Sequence, residues 1–162
     1  KRGIEQRLAF FLKTQTLMAV NPNQRYFAAA GVYHDQLVFY KSENGELLKV
    51  KEYFSIEPEV ETRTGDNDYA GLSILPETVD AYQELCATEQ HLYALYYGVA
   101  EKEKKKEKNR RSYILKLTWS GELSAGYVID GFISRLAVDE KKNCFYTIRL
   151  VDEEYVLMRY EM

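Results

Sequence analysis

A chain of 162 residues, 46% hydrophobic and 14% aromatic with only three prolines, carries enough apolar mass for a real core, since a chain near this length buries roughly 70% of its extended surface. Its 22 basic and 25 acidic side chains leave a net charge of −3, which argues against a nucleic-acid interface built on surplus Lys and Arg. Two cysteines make no disulfide scaffold, and no apolar run approaches the roughly 18 residues of a bilayer-crossing helix.

The chain opens on Lys1 rather than Met, so the expectation is that it is part of something longer; a cleaved signal peptide would leave no trace. The apolar-rich segment Ile4 to Lys13 reads as a strand standing alone, with a helix as the competing reading, because ten residues do not separate the two periods. Next come Met18-Ala19-Val20-Asn21, a polar turn Asn21-Pro22-Asn23-Gln24, and Tyr26-Phe27-Ala28-Ala29-Ala30, the pattern of a hairpin. Val32-Tyr33-His34-Asp35 turns the chain into Gln36-Leu37-Val38-Phe39-Tyr40. Asn44-Gly45 then turns it into Glu46-Leu47-Leu48-Lys49-Val50. Asn-Gly between apolar-rich runs is a strong hairpin signal, because both residues tolerate positive φ. Residues 55–80 read as a long acidic loop.

The same pattern then returns. Leu85-Cys86-Ala87-Thr88 leads through Glu89-Gln90 into Leu92-Tyr93-Ala94-Leu95-Tyr96, and Ser112 to Trp119 is followed by Ser120-Gly121-Glu122-Leu123. Gly45-Glu46-Leu47 and Gly121-Glu122-Leu123 read as one turn in two copies. The second unit is longer by about the charged stretch Glu101 to Arg111. A third copy starts at Leu136-Ala137-Val138-Asp139, turns through Glu140-Lys141-Lys142-Asn143 into Cys144-Phe145-Tyr146-Thr147-Ile148, and stops at its third strand, Tyr155 to Tyr160. Four antiparallel strands per unit, repeated, are the signature of propeller blades. The expected class is therefore all-β, with four-stranded antiparallel blades making about three blades, half of a six-bladed β-propeller. The expected divisions are an orphan outer strand at 4–13, a blade at 15–54, an inter-blade loop at 55–80, a blade at 82–130 and an incomplete blade at 133–160. Three blades are too few for a ring, so either missing N-terminal blades or a second copy complete it.

The run Leu136 to Asn143 with Phe145-Tyr146-Thr147-Ile148, and the segment Tyr113 to Leu123 with its Trp119-Ser120-Gly121-Glu122 turn, resemble the blade start and outer hairpin of TolB-like six-bladed β-propeller proteins common in Bacteroidetes. The resemblance covers most of residues 15–162 and rests on degenerate patterns. It implies a propeller of no settled activity, often exported or lipid-anchored, and no catalytic residues. The family's full domain is about twice this chain.

The candidate chemistry is sparse. His34 and His91 fall in expected turns, and the convergent ligands of a metal site are missing around them, so both read as surface turn residues. Cys86 and Cys144 lie on expected strands with no histidine near, and read as small core residues rather than nucleophiles. In Glu101 to Arg111, seven basic side chains mix with Glu101, Glu103 and Glu107, which reads as a solvated hairpin extension. Glu57, Glu59, Glu61, Asp66 and Asp68 make the 55–80 loop acidic, but Asp66-Asn67-Asp68 lacks the glycine and glutamate of a calcium loop.

A propeller's usual site is the mouth of its channel, at the starts of the inner strands. Aligning the units on Ala19, Cys86 and Ala137 places Thr16 and Leu17, Gln83 and Glu84, and Ser134 and Arg135 there. The polar members, Thr16, Gln83, Glu84, Ser134 and Arg135, could hold a protein, a peptide or a small polar ligand, or simply satisfy strand ends. The expectation is a non-enzymatic binding or scaffold module with no cofactor, no metal ligand and no catalytic residue. The alternative is a metal-dependent hydrolase whose ligands come from missing blades.

Overall fold

A computed structural model describes residues 14–54, 60–64, 70–104, 111–151 and 154–162. Three antiparallel sheets of four, four and three strands make up its body, so the fold is all-β. The first holds β1 (Thr16–Val20), β2 (Tyr26–Gly31), β3 (Leu37–Glu43) and β4 (Glu46–Tyr53) in sequence order. In the second, β7 (Val79–Ala87), β8 (His91–Ala100), β9 (Arg111–Thr118) and β10 (Leu123–Asp130) do the same. The third contains β11 (Ile133–Asp139), β12 (Cys144–Val151) and β13 (Glu154–Glu161). In the chain segment that links the first two sheets, β5 (Val60–Thr64) and β6 (Ala70–Ile74) form a separate hairpin. The first strands of the three large sheets lie side by side, with β7 between β1 and β11. The segment 4–13 read as an orphan strand lies outside the described residues, as does most of the charged stretch, whose start forms one turn of helix, α1 (Glu101–Lys104).

The sequence of β8, His-Leu-Tyr-Ala-Leu-Tyr-Tyr, is almost continuously apolar for a physical reason. Successive strand residues face opposite sides, so a strand covered on both sides needs apolar residues at every position. Leu92 and Ala94 face the first sheet, in a core with Ala19, Ala28, Ala30, Leu37, Phe39 and Trp119. Tyr93, Leu95 and Tyr97 face the third, in a core with Ile114, Ile133, Leu136 and Phe145. The middle sheet, whose outer strand β10 is largely exposed, is thus buried on both faces at β8. The outer faces of its neighbours are not: Met18 on β1 is 72% exposed, and Leu157 and Tyr155 on β13 are 69% and 78% exposed. The alanines of β1, β2 and β7 allow the inner strands to approach closely, and the Ala81 N–H donates across the gap to the Val32 carbonyl at 2.8 Å.

Turn chemistry sets the register. Asn21, fully buried, accepts the Arg25 and Tyr26 N–H groups on its side-chain oxygen at 3.0 and 2.9 Å, closing the first hairpin. Asn44 and Gly45 both have positive φ, and Glu43 pairs with Glu46 across the tight turn. The turn at Gly121 is a different one. It spans Trp119, Ser120 and Gly121, only Gly121 has positive φ, and a bulge follows between Leu123 and Ala125. The extra residue follows from Trp119, whose ring is drawn into the core against Tyr26 and Phe39.

Three further expectations need correction. The 55–80 segment is not all loop: Val60 to Thr64 pairs with Ala70 to Ile74 in full register, which the alternation of Val-Glu-Thr-Arg-Thr permits. The second sheet starts at Val79, three residues before its expected boundary. His34 is not a surface residue but 6% exposed, folded against Gly31 and edge-on to Phe54 at 6.5 Å. Its turn tucks inward between the first two sheets, where Gly31 leaves room for the ring that any Cβ would fill.

Candidate functional site

Two of the five expected site residues come together across the inner strands, although β7 begins at Val79 and so places Gln83 and Glu84 in its middle rather than at its start. Glu84 on β7 and Arg135 on β11 form an ion pair at 3.7 Å that bridges adjacent inner strands. Both are partly exposed, so the pair contributes little to stability while offering both charges to solvent. Arg135 also donates to the Ser134 carbonyl at 2.8 Å. The other three turn towards their own sheets: Thr16 donates to the Thr14 carbonyl at 2.8 Å, Ser134 to the Ile148 carbonyl at 3.3 Å, and the Gln83 amide to Asp80. An acid and a base side by side suit a peptide-like or zwitterionic group.

The opposite end, formed by the inner hairpin turns, holds a second arrangement. There the Asn23 amide donates to Glu89 at 3.0 Å, joining the turns of the first two sheets. The second and third are joined through Glu140, whose Oε1 lies 2.7 Å from His91 Nδ1 and accepts the Tyr93 hydroxyl at 2.9 Å. The turn carrying Glu140 is one 3₁₀ turn, Glu140–Lys142, with Asp139 accepting the Lys142 N–H at 3.1 Å and Asn143 in the left-handed region at φ 51°. Burial opposes ionisation of Glu140, but hydrogen bonds from Tyr93, His91 and Thr88 outweigh it and hold the carboxyl below its ordinary range. The Tyr93 phenol is pushed up, first by burial and then by the Glu140 carboxylate, so it remains a donor at neutral pH. Beside this cluster lies a cleft of about 710 Å³, bordered by Pro22, Gln90, Lys116, Lys141 and Met162.

His91 is thus the first residue of β8 and an inter-sheet partner, not a free turn residue. Sequence reading missed Glu140 because it sat in a run read only as a polar turn. The signal was its place in the repeat, one unit after the turn that precedes His91. The cysteines sit where a packing role puts them: Cys144 is buried and Cys86 half-buried against the second core. Burial, followed by the charges of Glu84 and Glu140, pushes the Cys86 thiol up, which leaves little thiolate for nucleophilic chemistry.

Among the described residues, no three His, Cys, Asp or Glu side chains converge as a metal ion would require, and no helix is long and apolar enough to cross a membrane. No family model matches the chain, and comparison with curated proteins and with solved structures finds no match either.

Proposed function

We propose that this chain is a non-enzymatic binding or scaffold module, a set of β-propeller blades of the TolB-like six-bladed kind, that presents the inner-strand surface carrying Glu84 and Arg135 to a peptide or small polar ligand. The observation that carries the reading is the middle sheet, whose strand β8 is sandwiched on both faces, beside two flanking sheets whose far faces display Met18 and Leu157 to solvent. Apolar side chains at both ends of a row of sheets suit continuation of the row, by further blades or by a second copy. Among the described residues, β13 is outermost in a sheet one strand short of its neighbours, and its edge is where a further strand would pair. Such a ring would gather the inner strands around one channel, with Glu84 and Arg135 on its wall.

The test is a binding screen of short charged and zwitterionic peptides by fluorescence polarisation, paired with metal analysis of the purified protein. The expected result is saturable binding that Arg135→Ala and Glu84→Ala weaken with unchanged melting temperature. A stoichiometric divalent ion together with hydrolysis of lactone or phosphoester substrates would sink the binding reading in favour of the hydrolase alternative.

A further inference from the structure

Each large sheet ends in an outer strand, and the three outer strands are built differently. β4 carries Glu46, Lys49, Lys51 and Glu52 and bulges against β3 at Val50; β10 bulges against β9 at Ser124. Charges and bulges of this kind keep a sheet edge from pairing with another strand. β13 pairs with β12 from Cys144↔Glu161 to Val151↔Glu154 without a shift, and its centre reads Tyr155-Val156-Leu157-Met158. Among the described residues, β12 is its only strand partner.

The hydrogen bonds of β13 decide which groups face the open edge. The Met162 N–H donates to the Asn143 carbonyl at 3.0 Å, and in an antiparallel pair bonded residues alternate with unbonded ones. Counting back through the unshifted register, Glu154, Val156, Met158 and Tyr160 bond to β12, while Tyr155, Leu157 and Arg159 aim their N–H and C=O groups outwards. Those three residues also share one face of the sheet, where Tyr155 and Leu157 are among the most exposed apolar side chains.

We propose that this edge is a homodimer interface, in which β13 of a second copy pairs antiparallel with β13 about a two-fold axis through Leu157. Pairing around that axis puts Leu157 opposite its own copy and Tyr155 opposite Arg159 on both sides. Every one of these pairs is of the hydrogen-bonded kind, so the outward N–H and C=O groups of the two strands satisfy one another. The side chains suit the same register: Leu157 packs on Leu157, and the strand's one basic residue meets a ring rather than a like charge. Another extended peptide would satisfy the backbone, but a second copy supplies this matched set from residues already present. Because the axis is two-fold, the contact closes on itself and makes a pair, not a fibre. The interface does not rest on the ligand reading of Glu84 and Arg135. A chain that binds peptides there and yet stays monomeric would sink this inference alone.

The experiment is sedimentation equilibrium of the whole chain from about 1 to about 500 μM. The expected result is a monomer–dimer equilibrium with Kd below about 100 μM, weakened about ten-fold or more by Leu157→Lys, which sets like charges face to face at the axis. Leu47→Lys, at an exposed leucine on the β4 edge, should leave the equilibrium unchanged. Both variants are accepted only with an unchanged melting curve. Leu157→Cys gives a second reading that needs no weakening. Hydrogen-bonded antiparallel partners have Cα atoms about 5.5 Å apart, within disulfide reach, so oxidation should yield a covalent dimer. Tyr155→Cys, opposite Arg159 and far from its own copy, should not; the parent chain, whose cysteines are buried or half-buried, is the blank. A chain monomeric up to about 500 μM, a dimer indifferent to Leu157→Lys or equally sensitive to Leu47→Lys, or cross-linking through Tyr155→Cys instead of Leu157→Cys would each overturn the proposal.

Discussion

Replacing Tyr93 by Phe removes one atom from the joint between the second and third sheets. The ring remains in the core, fully buried, and only the hydroxyl that donates to Glu140 at 2.9 Å is lost. Hydrogen bonds to charged groups contribute about 1.5–3 kcal/mol. Glu140 is 29% exposed at its side chain, and water can replace part of the missing donor, so the expectation falls to about 1–1.5 kcal/mol. In a protein of this size that corresponds to a drop of about 2–5 °C in Tm. The pH dependence supplies the sharper test. The folded-state pKa of Glu140 lies below its ordinary value of 4.5, so its contribution is fully present above that value and is lost as pH falls through the depressed folded one. Urea unfolding of Tyr93→Phe and its parent, repeated from about pH 7 down to about pH 3, should show the gap narrowing on the acid side. The His91 partner remains in both proteins. A gap of equal size throughout that range would refute the reasoning, because it would mean that the phenol serves something other than the charge on Glu140.

The remaining expectations are independent of that joint. Phe145→Ala, which removes a ring stacked on Tyr160 and edge-on to Tyr127, should cost about 3–5 kcal/mol by denaturant unfolding, and a loss under about 1 kcal/mol would contradict its place in the second core. Gly31→Ala should destabilise by driving a Cβ into the His34 ring, and His34→Ala should restore most of the loss in the double variant; additive losses would refute the contact. Exchanging the Glu84–Arg135 pair as Glu84→Arg with Arg135→Glu should leave the melting temperature within about 1 °C, since the pair is exposed, while altering any ligand bound at that end. Cys86 should react with a thiol reagent at pH 7.5 much more slowly in the folded chain than in urea; fast stoichiometric labelling would show that its thiolate is available after all.

Much of the architecture was open to a reader of the sequence because it is written in local patterns. The Asn44-Gly45 turn, the apolar runs of β2, β8 and β12, and the recurrence of the inner hairpin need only backbone sterics and period-2 burial to be recognised. The third sheet's three strands follow from counting the same pattern. The failures were equally physical. His34 looked like a turn residue because it is one, and nothing local reveals that its turn folds inward beneath a glycine. The two glycine turns looked identical because the difference lies in where Trp119 packs.

Sites divide along the same line. Glu84 and Arg135 could be nominated from repeat alignment, since equivalent positions in neighbouring units must be neighbours in space. Glu140 with His91 could not, because the pair unites residues from different units at positions that do not correspond. By itself, the sequence determined strands, turns and repeat order, all governed by interactions within a few residues or one hairpin. The tertiary structure alone decided which face of each sheet is covered and which carboxylates meet which partners. Those depend on packing between sheets, where the energy belongs to pairs of residues distant in the chain and no local period records it.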